Sequence, residues 1–109
     1  MANTFKLKTK ANVGVTTVGI YTAPPATTTV VIGITMANTS GSGVNVGVGI
    51  TRAGTTEDVK LLKNAPIPQG SSLEFMAGNK IVLESTDTVT VDSDTNDSVD
   101  AALTIMEIT

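Results

Sequence analysis

The chain predicts an all-β fold, a single-domain antiparallel β-sandwich of jelly-roll type with eight or nine short strands. Three observations carry this. The 109 residues include 13 Val, 8 Ile and 19 Thr, β-branched residues that are stiff at χ1 and favour a pleated surface. Several segments alternate apolar and polar residues with the period of two that places one set of side chains on each face of a strand. Turn signals separate these segments at the short spacing of a sandwich or barrel.

Length places residues 1–109 in one domain, and 40% apolar residues suffice for a core. That core must be aliphatic, because Phe5, Tyr21 and Phe75 are the only aromatics.

The segments follow in order. "TFKLKTK" alternates Phe5 and Leu7 with Lys6, Lys8 and Lys10, which predicts a half-buried strand whose lysines form a solvated or edge-protecting face; residues 1–10 are then an N-terminal arm or edge strand. "VGVTTVGIYT" predicts a second strand, ended by Pro24 and Pro25, which cannot donate to a ladder. "TTTVVIGITM" places Val30, Ile32, Ile34 and Met36 on one face, and "GVNVGVGIT" places Val44, Val46, Val48 and Ile50 inward. With "ANTSGSG" between them, the two predict a long antiparallel hairpin. Gly33, Gly47 and Gly49 lie opposite the aliphatic stripes. They predict a bulge or strong local twist, or else a smooth face that another backbone, such as that of a neighbouring subunit, approaches closely.

Val59 to Leu62 predict a strand, and "NAPIPQGSS" a rigid connection after it. "LEFM" and "KIVLES" predict two short strands joined by a tight turn at "AGN". "TDTVTVD" alternates Val89 and Val91 with polar residues. "VDAALTIMEIT" closes the chain with the stripe Val99, Ala101, Leu103 and Ile105, compatible with a helix but expected as a strand because its end is β-branched.

Composition excludes most chemistry. Without histidine or cysteine there is no Ser-His-Asp or Cys-His arrangement, no ordinary zinc site and no disulfide framework. Glu57, Asp58, Glu74, Glu84, Asp87 and Glu107 are carboxylates of the kind a glycosidase pairs, but with no tryptophan and one tyrosine there is little for a sugar ring to stack on. No catalytic residue and no cofactor are assigned. Seven basic against ten acidic residues argue against nucleic acid as a partner, since phosphate binding needs clustered cations. The glycine-rich stretches lack the Lys and Ser or Thr of a phosphate loop. "MANTFKLKTK" lacks the apolar core of a signal peptide, and no run is long enough to span a bilayer; synthesis in the cytoplasm and no membrane partner are expected.

The densest acidic stretch is "DSDTNDSVD", with Asp92, Asp94 and Asn96 at the first three ligand spacings of an EF-hand loop. Counting from Asp92, the positions that need glycine and a bidentate glutamate hold Asp97 and Leu103, and strands rather than helices flank them. A hairpin connection of turn-forming Asp, Asn and Ser, solvated and pointing away from any partner, is the preferred reading over a non-EF calcium site.

In layout the chain resembles small virion structural proteins of tailed bacteriophages, notably of cyanobacterial and marine phages. The segments that carry the likeness are "GIYTAPPATTTVVIGITMANTS", "VNVGVGI", "LLKNAPIPQGSSLEFMAGNKIVLESTDTVTVDS" and the final "LTIMEIT". The resemblance implies a protein similar to capsid decoration (cement) proteins, located on the capsid surface of a virion made in the host cytoplasm. It implies the major capsid protein as partner and a homo-oligomer, a trimer by analogy. Phe5, Lys6, Lys8 and Lys10 are the expected partner contacts. A neck or tail component is the alternative within the structural class, and a host-adhesion sandwich that binds carbohydrate or calcium is the alternative outside it.

Overall fold

A computed structural model describes residues 3–52, 57–75 and 80–109. Among these residues nine strands lie in two antiparallel sheets, as expected: β1 (Asn3–Val13), β2 (Val18–Thr22), β3 (Thr28–Asn38), β4 (Val44–Arg52), β5 (Glu57–Ile67), β6 (Ser72–Phe75), β7 (Ile81–Leu83), β8 (Thr88–Ser93) and β9 (Val99–Ile108). One sheet runs β1-β9-β3, with β6 and β7 both paired to the far side of β3; the other runs β2-β8-β4-β5. β6 and β7 therefore act as one interrupted edge strand, and apart from that step and β4–β5 every connection passes between sheets. This is the strand order of a jelly roll.

The predicted β3–β4 hairpin is overturned. β3 pairs with β9, β6 and β7, while β4 pairs with β5 and β8, so "ANTSGSG" is a crossover and not a hairpin turn. Asn38 organises it. The buried amide Nδ2 donates to the carbonyls of Ser42 at 2.8 Å and Ile67 at 2.9 Å, and Oδ1 accepts from the Ser40 backbone N–H at 2.9 Å and the Ser40 hydroxyl at 2.8 Å. Two apolar stripes separated by a polar turn do not encode whether the stripes share a sheet or face each other across a core.

The face assignment in β3 is corrected too. A bulge at Ile32, between Val31 and Gly33 in the register with β9, shifts the alternation by one. The inward set is Thr29, Val31, Ile34, Met36 and Asn38, and Val30 and Ile32 lie on the outer side. In β4 the inward set is as expected, Val44, Val46, Val48 and Ile50. Opposed to β3 and β9 across the core, these residues pack with Val89, Val91, Leu103, Ile105 and Leu83. At about 25 cal/mol per Å² of apolar surface buried, an aliphatic core of this kind is the main stabilising term.

β5 extends through Ala65, Pro66 and Ile67 rather than ending at Leu62. Proline is tolerated because β5 is a sheet edge, where one side of the strand makes no ladder. Register shifts near Gly33, Gly47 and Gly49 agree with the bulge reading. A Cβ on Gly49 would stand 2.9 Å from the Val59 carbonyl oxygen, and one on Gly47 2.6 Å from Asp92 Oδ1. The close approach is made by this chain's own β5 and β8. The second predicted strand begins only at Val18, since β1 runs on to Val13. The segment "VDAALTIMEIT" is a strand with alternate residues buried. The predicted "AGN" turn lies outside the described residues.

Candidate functional site

The acidic stretch is the one candidate metal site in the sequence. It connects β8 to β9, which belong to different sheets, so the expected hairpin is instead a second crossover. The Ser93 and Ser98 hydroxyls meet at 2.7 Å in the interior, Ser98 Oγ donates to the Thr95 carbonyl at 2.7 Å, and Asp97 takes a left-handed φ of 50°. The candidate ligands do not converge. Asp92 Oδ2 accepts from the Thr17 hydroxyl at 2.9 Å and lies 3.9 Å from Lys60 Nζ. Asp94 Oδ1 accepts from the Asn45 backbone N–H at 3.1 Å and the Thr95 hydroxyl at 3.0 Å. Asp100 Oδ1 accepts the Asn12 N–H at 3.0 Å. Each carboxylate ties this crossover to a different neighbour. Among the described residues no group of three or more metal-ligating acidic side chains gathers.

The two outer faces of the sandwich differ. On the β2-β8-β4-β5 sheet the outer face is polar, with side chains bonded to one another: Thr22 to Thr88 at 2.9 Å, Thr51 to Asp58 at 2.9 Å, and Thr17 to Asp92. The outer face of the other sheet is divided: Thr9, Ala102, Thr35 and Glu74 are in register toward one end, and an apolar row crosses it toward the other. Residues directly opposite in antiparallel strands share a face, and the register pairs Phe5 with Met106, Met106 with Val30, and Val30 with Val82. These four side chains form one row across β1, β9, β3 and β7. Phe5 is 69% exposed and Val82 59%, and Leu7, one step along β1, is 65% exposed. Ile108 and Ile32 flank the row, both only half-buried. Apolar side chains contiguous across a sheet face mark an interaction surface more often than scattered single ones do.

β1 corrects the expected arrangement of the N-terminal segment. The alternation predicts Phe5 and Leu7 inward and the lysines outward. Lys6, Lys8 and Lys10 pair with Ile105, Leu103 and Ala101, which are buried, so the lysines lie on the core side and Phe5 and Leu7 on the outer face. The reversal is possible because β1 is the sheet edge, where the core thins and a lysine can lay its stem over the rim while its ammonium reaches water. Lys6 Nζ lies 2.9 Å from Glu107 Oε1. Glu107 is 6% exposed and also accepts from the Tyr21 hydroxyl at 2.6 Å; that hydroxyl meets Thr29 Oγ1 at 2.8 Å. The hydrogen bonds from Tyr21 and then Lys6 hold the Glu107 carboxyl below its usual range against the opposing effect of burial. Burial, then the bond to Glu107, pushes the Tyr21 phenol up to about 12. Sequence reasoning did not find this polar group, since Glu107 occupies an inward position of an otherwise aliphatic stripe.

No protein-family model matches the chain, and no curated protein matches it. Solved structures share its fold. A chain of the disulfide-linked pili formed by Bacillus endospore appendages aligns with 99% of this chain and 87% of its own length, at 16% identity and a TM-score of 0.57. A chain of the cyanophage Pam1 capsid asymmetric unit aligns with 95% of this chain and 84% of its own, at 16% identity and a TM-score of 0.53. A chain of the T13 particle of IBDV aligns with 96% of this chain at 12% identity and a TM-score of 0.60, and there the match spans 30% of the longer protein. At these identities the likeness is one of fold.

Proposed function

We propose that the chain is a non-enzymatic virion structural protein, a decoration protein that binds the outer surface of a phage head and stabilises it. The observation that carries this is the asymmetry of the sandwich: one outer face is polar and bonded within the chain, and the other presents the Phe5, Met106, Val30, Val82 row beside a lysine-bearing edge strand. Such a module adheres; without histidine or cysteine it is poorly equipped to catalyse. The fold likeness to a cyanophage capsid chain and the layout of the sequence support a place in the particle. The partner is then the major capsid protein. A homotrimer would present three such faces at once, and modest contacts become firm attachment when several engage one lattice together. Closed symmetry limits that assembly.

The test is to add the purified protein to heads that lack it and measure occupancy and resistance to heat. Saturable binding in hundreds of copies per head, on the order expected for a lattice site, with heads made more resistant, supports the proposal. No binding to heads, with density at the neck or tail in a map of the whole particle, would replace it by a second reading, a neck or tail component. The likeness to a pilus chain favours that second reading among the alternatives.

A further inference from the structure

We infer that the free edge of β1 is a strand-addition site for an extended segment that alternates acidic and apolar residues. One side of β1 pairs with β9 in unbroken register from Asn3 to Lys10. The other side has no partner strand among the described residues, so a row of backbone N–H and C=O groups is open to a further strand. The remaining sheet edges among the described residues are short or interrupted: β2 has five residues and a register shift between Gly19 and Tyr21, β5 carries Pro66 and two register shifts, and β6 and β7 divide one edge between them.

The two faces of β1 specify what the added strand must carry. Opposite Phe5 and Leu7, on the outer face, its residues would be apolar and would lengthen the Phe5, Met106, Val30, Val82 row by one strand. Opposite Lys8 and Lys10, on the inner side, its residues would be acidic. Lys6 is already paired with Glu107, whereas among the described residues Lys8 and Lys10 have no carboxylate within 4.0 Å. β1 holds three of the chain's seven basic residues and no acidic one, so a second β1 laid against the first would set lysine against lysine. The same lysines that deter self-pairing favour an acidic strand. That this strand belongs to a capsid shell rests on the function proposed above; the chemistry of the edge does not.

The probe is a ten-residue peptide alternating Glu and Val, tested against a Lys-Val counterpart and a Glu-Val peptide N-methylated at alternate residues, which cannot add as a strand. Hydrogen exchange of the intact protein reads the result. The Glu-Val peptide should slow exchange of β1 amides within Thr4–Lys10 by about tenfold or more, while both control peptides should leave it unchanged. The Lys8→Glu/Lys10→Glu variant should take the Lys-Val peptide instead; Lys8→Gln/Lys10→Gln, a milder change, should lose charge discrimination while staying folded. Equal protection by all three peptides, protection elsewhere on the chain, or β1 protection that rises with protein concentration in the absence of peptide would overturn the inference, the last in favour of a second copy. Heads bound normally by the Lys8→Glu/Lys10→Glu variant would overturn the assignment of the added strand to the capsid shell and leave the decoration role standing. Peptide captured on β1 by a protein that ignores heads would overturn the decoration role and leave the strand site standing.

Discussion

The Tyr21 hydroxyl donates to Glu107 Oε2 at 2.6 Å across the gap between the two sheets. Tyr21 stands on β2 and Glu107 on β9, so this bond joins strands that share no ladder. Removing the donor with Tyr21→Phe leaves a buried carboxylate with Lys6 as its remaining charged partner. The expected cost is about 1–3 kcal/mol, read as a lowered urea midpoint with an unchanged slope. The Tyr21 phenol is pushed up to about 12, above its unfolded value near 10. The unfolded chain therefore loses its proton first as pH rises, and the stability present below pH 10 falls away between about 10 and 12. The Phe variant should lack that alkaline loss; curves that stay parallel to wild type would show that the phenol titrates normally.

Glu107 makes the opposite prediction at the acid end. Its folded carboxyl is held below the usual range by Tyr21 and Lys6, so the unfolded state takes up a proton at higher pH than the native state does. The stabilisation is complete above the ordinary glutamate range near about 4.3 and is lost as pH falls through the depressed folded value. Urea midpoints measured from neutral to acid pH should show wild type well above Glu107→Gln at pH 7, with the gap closing on acidification. A constant gap would mean that the pair contributes packing and no linkage.

The outer row and the core separate binding from stability. Phe5 and Leu7 are largely exposed, so Phe5→Ser and Leu7→Ser should change stability by no more than about 0.5 kcal/mol and yet reduce attachment to heads. Leu103 is fully buried between the sheets, and Leu103→Ala should cost about 2–5 kcal/mol. Attachment that survives both serine variants, assayed on protein shown to be folded, would remove the apolar face from the proposed contact.

The sequence showed which segments are strands and did not show which sheet each belongs to. Alternation is local: in "VDAALTIMEIT" it places Val99, Ala101, Leu103 and Ile105 together, and they are buried together. Sheet membership is not local. The β3 and β4 stripes look like two arms of a hairpin, yet β3 pairs with β9 and β4 with β8, each tens of residues away. A bulge such as that at Ile32 leaves only a glycine as its trace, and Gly33 was legible to that extent. At β1 the alternation is real but its faces are the reverse of those expected, because at a sheet edge both faces are partly solvated and hydrophobicity alone does not choose between them. The Tyr21, Glu107, Lys6 group was hidden for a related reason: its members are spread from residue 6 to residue 107, and only the fold brings them together.

Asp92, Asp94 and Asp100 each accept hydrogen bonds from a different part of the chain, so a cation that drew them together would have to break those bonds first. Calcium should leave the melting temperature unchanged, and EDTA should have no effect. Asp97→Ser places a hydroxyl residue at the left-handed φ of 50°, which aspartate and asparagine tolerate better than serine does. Asp94→Ser loses the carboxylate that accepts from the Asn45 N–H. The double variant should therefore lose about 1–2 kcal/mol while attaching to heads as wild type does, because the crossover at residues 94–98 lies away from the apolar row. A calcium-dependent rise in melting temperature that the double variant abolishes would instead make this stretch a metal site and bring the host-adhesion reading forward.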